Sequence, residues 1–230
     1  SGTPVADVLW SVDGTVVDFN PDLFDAYTSV NDANVLPSMK KSALWSPFTA
    51  VVTAFIVNES RLNGLPVPTR WADLAKPEYK GMISAARADK SGSAYIQYAT
   101  VLQAFGGEEA GMKIYSSMLS NFVLSDSSGA VPKMVNDGEL AIGLTLEDAA
   151  LRFKEGGGPV QIVYPSEGTS IAPDAVALVH GGPNTANGQA FIDFILSAEA
   201  QTIVANQGRR PVRGDVDSSA ALVPLSKIKD

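Results

Sequence analysis

The sequence predicts an α/β protein of mostly parallel sheets flanked by helices. Short β-branched and apolar runs alternate with segments of helical spacing, which is the pattern of strand–helix–strand units. Polar clusters of Ser and Asp recur where a strand gives way to a helix, the place where open α/β sheets bind ligands. The 230 residues, 45% hydrophobic and 18% charged, suffice for one large α/β domain or two lobes with separate cores.

Ala6–Trp10 reads as a short buried strand ending in the polar Ser11-Val12-Asp13-Gly14. Asp22–Tyr27 follows Pro21, a favoured first-turn residue, and is predicted helical. Val51–Val57 (VVTAFIV) has the β-branched content of a central strand. Gly64–Thr69 carries two prolines and reads as a connection, and Trp71–Leu74 as a helical turn. Gly81–Ser84 is a strand, followed by the polar loop Asp89–Ser93. Helical spacing runs from Ala94 to Phe105, where Gly106-Gly107 stops it, and again from Glu108 to Leu119. The alternation continues with strand Phe122–Leu124, helix Gly129–Asn136, strand Leu140–Leu146 and helix Asp148–Lys154. Strands Val160–Tyr164 and Ala175–Val179 follow, then one long helix from Gly188 to Asn206 ended by Gly208.

The formal net charge of −8 and the absence of any Lys/Arg cluster larger than a pair argue against a nucleic-acid surface. Without cysteine there is no disulfide framework, thiolate metal site or cysteine nucleophile. A single histidine, His180, beside Gly181-Gly182, reads as a turn or surface residue; it rules out a multi-His metal site and makes a Ser-His-Asp triad a poor fit. No apolar run approaches the roughly 20 residues that span a bilayer. The Ser1-Gly2-Thr3-Pro4 start has neither the basic residues nor the apolar core of a signal peptide.

Four polar clusters fall at strand-to-helix junctions: Ser11 with Asp13, Ser91 with Ser93, Ser125 through Ser128, and Glu147 with Asp148. Ser and Asp are also preferred N-caps, so each cluster has a purely structural reading; four at equivalent strand ends favour a shared crevice. Ser127 and Ser128 precede a helix with Pro132 in its first turn, so N–H groups around Gly129–Val131 and the hydroxyls suit phosphate oxygens. Ser91 and Ser93 offer the same from a neighbouring helix start. Glu147 and Asp148 repel phosphate and suit hydroxyls or an ammonium group at the other end of a solute. Asp126 is a hydroxyl acceptor or a turn former, and Trp45 a sugar-stacking face or a half-buried hinge residue. Ser46 and Thr145 complete the candidate set. An enzymatic alternative takes Glu147/Asp148 as an acid/base pair, although adjacent residues at a helix start usually point apart.

The segments WADLAKPEYKGMIS, DKSGSAYIQYATVLQAFGGEEAG, GELAIGLTLEDAA, YPSEGTSIAPDAVALV and FIDFILSAEAQTIVANQGRRPV come in an order that resembles the bacterial extracellular solute-binding proteins of ABC importers. The resemblance runs from about Ala6 to Arg213 and lies in the ferric-iron, phosphonate and sugar-phosphate branch of family 1. It implies a two-lobe type II periplasmic-binding fold with a ligand cleft between lobes. Residues 1–49 and 173–230 would form a discontinuous lobe and 50–172 a continuous one, with strands crossing near Phe48–Val52 and Pro173–Ala177. It further implies a monomer in the periplasm or outside the cell, membrane-associated through a permease and its ATPase, with a small anionic solute and no cofactor or resident metal. Members normally carry a strand–helix–strand before the segment matching ADVLW and extend beyond VPLSKIKD, so on this comparison both terminal segments are lacking. Ferric binders often use neighbouring tyrosines; here Leu144-Thr145-Leu146-Glu147-Asp148 stands in that region and Tyr95 and Tyr98 are one helical turn apart. A sugar phosphate or phosphonate is therefore the expected ligand, with ferric iron as the alternative.

Overall fold

The computed structural model describes residues 2–230; Ser1, which opens the SGTP start, lies outside them. In chain order the strands are β1 (Val8–Asp13), β2 (Phe24–Asp25), β3 (Ser46–Val57), β4 (Ile83–Ala86), β5 (Phe122–Ser125), β6 (Ile142–Leu146), β7 (Gln161–Val163), β8 (Ile171–Val179) and β9 (Arg210–Pro211). The α-helices are α1 (Gly14–Asp18), α2 (Gly92–Ala104), α3 (Glu108–Leu119), α4 (Ala130–Asn136), α5 (Glu147–Glu155), α6 (Thr185–Ile195) and α7 (Ala198–Asn206). The chain divides into two units, one made of the stretch ending at Val51 with Ala172–Leu222, the other of Val52–Ile171 with Val223–Asp230. The C-terminal segment departs from the expected 173–230 grouping. Thr169 N–H donates to Lys229 O at 2.8 Å and Ile171 N–H to Asp230 Oδ1 at 3.3 Å, which ties that segment into the second unit.

In the second unit β4 lies between β5 and β6, parallel to both, with Ala86 opposite Ser125 and Ser84 opposite Gly143. Helices α2 and α3 stand between β4 and β5, and α4 between β5 and β6, as parallel pairing requires. β3 runs antiparallel to β6 on one side and to β7 on the other. Successive β3 residues point to opposite faces. Phe55 and Val57 pack with Trp71, Val101 and Met118 on the α2/α3 face, while Ile56 meets Val135 and Ala150 of α4 and α5 on the other. Trp71 is fully buried, its ring edge-on to Phe55 at 4.8 Å and its Nε1–H donating to Gly168 O at 2.9 Å.

In the first unit β1 and β2 pair antiparallel with β8, and β9 pairs antiparallel with β3. Parallel pairing, expected to predominate from the strand–helix alternation, is found where β4 meets β5 and β6, whereas β1 and β2 with β8, β6 and β7 with β3, and β9 with β3 are antiparallel. Val17, Phe24, Trp45, Ala175 and Ala177 form one core cluster of this unit, and Ile192, Leu196 and Val212 are buried elsewhere in it. Trp45 donates from Nε1 to Asp18 Oδ1 at 3.1 Å, and its ring lies so close to Gly14 that a Cβ there would come within 2.3 Å of it. Trp45 is therefore a core residue, not a sugar-stacking face.

Two predicted helices change form. Asp22–Tyr27 becomes a 3-10 turn, Pro21–Leu23, followed by β2, because Phe24 pairs with Val179 and is buried. The expected long helix Gly188–Asn206 splits into α6 and α7 at Ser197, whose hydroxyl caps α7 by accepting from Ala200 N–H at 3.2 Å.

Candidate functional site

Because β4, β5 and β6 are parallel, their C-terminal ends lie at one edge of the second unit's sheet. From that edge the chain passes into α2, α4 and α5. β4 and β5 lead into one shallow, polar depression of about 420 Å³ lined by Lys90, Ser91, Gly92, Ser93, Asp126, Ser127 and Ser128. Five predicted site residues, Ser91, Ser93, Asp126, Ser127 and Ser128, therefore meet although two turns far apart in sequence supply them.

Local hydrogen bonds shape both walls. Ser91 caps the 13-residue α2, its Oγ accepting from Ala94 N–H at 3.4 Å and lying 3.0 Å from Ser93 Oγ. Gly92 exposes backbone at the positive end of the α2 dipole, with open space where a Cβ would stand. Across from it, Ser125 Oγ accepts from Ser127 N–H at 3.1 Å and donates to Ser127 O at 3.0 Å, which orders the turn. Ser127 O also accepts from Ala130 N–H at 3.2 Å, so that N–H, expected to be open to an anion, is used within the turn. Asp126 lies 3.7 Å from Arg87 Nε, and Arg87 also makes two hydrogen bonds to Asp89, at 3.0 and 2.7 Å. The Arg87 hydrogen bond holds the Asp89 carboxyl below its ordinary range and raises the guanidinium in return.

Glu147, Asp148 and Thr145 lie at the end of β6 and the start of α5, outside this depression. Glu147 is buried and accepts a hydrogen bond from the Tyr164 phenol, which is itself only half-buried. Its carboxylate thus faces Tyr164, not open solvent, and the phenol is the more accessible half of the pair. Thr145 is buried in β6 and Asp148 sits half-buried in the first turn of α5.

Ser11, Asp13 and Ser46 belong to the first unit. Ser11 occupies the irregularity between Trp10 and Val12 in β1, with φ of 59°, and donates to Asp174 Oδ2 at 3.4 Å. Asp13 caps α1, accepting from Thr15 N–H at 2.8 Å and from the Thr15 hydroxyl. Ser46 is buried at the start of β3.

Three residues beside these candidates are absent from the predicted set. Lys90 was legible as the lone cation of DKSGS, and Tyr164 as the polar residue closing an apolar strand. Arg209, whose Nη1 donates to Asp174 Oδ2 at 3.1 Å, gave no more signal than any surface Arg pair. Among the described residues no group of three or more His, Cys, Asp and Glu is placed to hold a metal ion.

A profile of the family described as "Bacterial extracellular solute-binding protein" matches residues 3–228. The chain belongs to this family. It is 33% identical over 177 residues to an uncharacterised protein of Haemophilus influenzae, covering 75% of this chain and 51% of that one. It is 28% identical over 223 residues to a putative 2-aminoethylphosphonate-binding periplasmic protein of Salmonella typhimurium, covering 94% of this chain and 65% of the relative. The chain thus spans about half to two-thirds of these relatives' length. The periplasmic binding protein AfuA from Actinobacillus pleuropneumoniae, solved with fructose-6-phosphate bound, superimposes with a TM-score of 0.90 at 27% identity, covering 98% of this chain and 75% of AfuA. The fold is that of the type II periplasmic binding proteins. No helix among the described residues is long and apolar enough to cross a membrane.

Proposed function

We propose that this family member is the solute-binding component of an ABC importer, taking a small phosphorylated solute such as a sugar phosphate or an aminoalkyl phosphonate. The observation that carries this reading is the polar depression where the hydroxyls of Ser91, Ser93, Ser127 and Ser128, the start of α2 and the Lys90 ammonium converge. Hydroxyls and N–H groups at a helix start donate to phosphate oxygens, and Lys90 contributes a compact positive charge. The Glu147–Tyr164 pair and Asp148 take the solute's hydroxyl or ammonium end. Glu147 acts through the phenol that it holds. The relatives supporting this ligand class are the Salmonella protein described as binding 2-aminoethylphosphonate and AfuA with its fructose-6-phosphate. The protein works as a monomer in the periplasm or outside the cell and is brought to the membrane by a permease and its ATPase.

Isothermal titration with fructose 6-phosphate and 2-aminoethylphosphonate tests the assignment. Ser127→Ala, Glu147→Ala and the milder Tyr164→Phe are each expected to weaken binding about 10-fold or more, the scale of a hydrogen bond to a charged group. Equal affinity in the wild type and all three variants would sink the site. A new absorption band on adding ferric citrate, with no phosphate or phosphonate binding, would replace this reading with iron binding. Turnover of fructose 6-phosphate would replace it with catalysis.

A further inference from the structure

One charge in the depression works against an anion. Asp126 lines it beside Ser127 and Ser128, and its side chain is 78% exposed. A carboxylate a few ångströms from a bound phosphate repels it, and the chain's net charge of −8 gives no relief. Lys90, which also lines the depression and whose charge acts on Asp89 as well, supplies one opposing charge.

Arg87 stands on the far side of Asp126, outside the depression, in a neighbouring hollow lined by Ala86, Arg87, Asp89, Tyr115, Leu124 and Asp126, among others. Its place is set by the backbone. Arg87 N–H donates to Ser125 O at 2.9 Å, and Arg87 O accepts from the N–H groups of Lys90 and Ser91 at 3.1 Å each. The same residue therefore joins the β5 exit to the turn that presents Ser91. From this fixed point its Nε reaches Asp89 Oδ1 at 3.0 Å and Asp126 Oδ1 at 3.7 Å.

We propose that Arg87 is a positioning residue that sets the charge selectivity of the depression, by neutralising Asp126 from behind while the hydroxyls and Lys90 contact the solute. The proposal rests on the anion-binding reading given above. With Arg87 in place the charges of Arg87 and Lys90 match those of Asp89 and Asp126, and the α2 start and hydroxyls decide the balance in favour of an anion. Without Arg87 the rim carries one excess negative charge within contact range of the phosphate. For exposed groups in water this corresponds to roughly a five-fold loss of affinity.

The test is a double-mutant cycle read by isothermal titration at low salt with fructose 6-phosphate, and with inorganic phosphate as the minimal anion. Arg87→Gln is expected to weaken both about five-fold, and Arg87→Lys to keep most of the affinity. Arg87→Gln with Asp126→Asn is expected to regain the wild-type level, because the charge that Arg87 masks is gone. In 1 M NaCl the loss in Arg87→Gln should shrink. Thermal melting of every variant separates a folding defect from a charge effect, since a merely structural role for Arg87 would not be rescued by Asp126→Asn. Wild-type affinity in Arg87→Gln, or a double variant no better than Arg87→Gln, would overturn the proposal. A wild-type protein that binds neither compound would overturn the anion-site reading, and this inference with it. That pattern is distinct from binding in the wild type with no effect of the variants.

Discussion

Ser91 shows how a single hydroxyl serves two ends: it caps α2 and lines the depression beside Ser93. A cap and a binding group need the same residue type at the same strand-to-helix junction, so the sequence marks the position without separating the roles. Asp13 resolves to the structural side, holding the Thr15 N–H of α1. Glu147 resolves differently again, because burial behind Tyr164 is a tertiary fact that an adjacent acidic pair does not announce. His180, predicted as a surface residue, pairs its Nδ1 with Asp25 Oδ1 at 2.8 Å in an exposed position. That hydrogen bond raises the imidazole pKa above its ordinary 6.5. A raised value in the folded state means that the pair's contribution to stability is complete below the unfolded value and fades as pH rises through the folded one. With a single histidine in the chain, an NMR titration reads this directly. A pKa above 6.5 is expected in the wild type and a fall towards it in Asp25→Asn; identical titrations would refute the pairing.

At the scale of elements, the most legible stretch is the run from β4 to α5. Glu108–Leu119 is helical over the predicted span, and the predicted strand and helix from Phe122 to Asn136 appear within a residue of their ends. Each of these elements carries its own period and its own stop, such as Gly106-Gly107 after α2. β2 and the α6/α7 break were less legible because their decisive terms are a pairing with β8 and a cap competing with helical periodicity. Gly143 links element packing to the site. A Cβ at this β6 position would come within 2.9–3.0 Å of Ile56, Val131 and Val135, so the absence of a side chain is what lets α4 lie against the sheet. Gly143→Ala is expected to cost about 1–3 kcal/mol, a fall of about 2–12 °C in melting temperature. It should also weaken fructose 6-phosphate binding, since α4 carries the Ser127–Ser128 turn. Wild-type melting in a calorimeter would show that the packing has slack.

At the scale of the whole molecule, a net charge of −8 surrounds a site proposed to hold an anion. The local N–H groups and hydroxyls act at contact, whereas the net charge acts over the screening length, which shortens from about 30 Å at 0.01 M salt to about 8 Å at 0.15 M. Stopped-flow association of fructose 6-phosphate should therefore quicken, by about two-fold, over that range as the long-range repulsion is screened. Slowing with salt would mean that attraction, not repulsion, reaches the incoming solute. The sequence by itself determined the α/β class, the family resemblance and the Ser and Asp junctions, because hydrophobic period, turn chemistry and capping preferences act over a few residues and are written locally. Only the tertiary structure decided which junctions meet, that Trp45 is core, that Glu147 faces Tyr164 and that Arg87 stands behind Asp126. Those outcomes depend on strand direction and register, which bring together residues far apart in the chain and leave no mark on the local pattern.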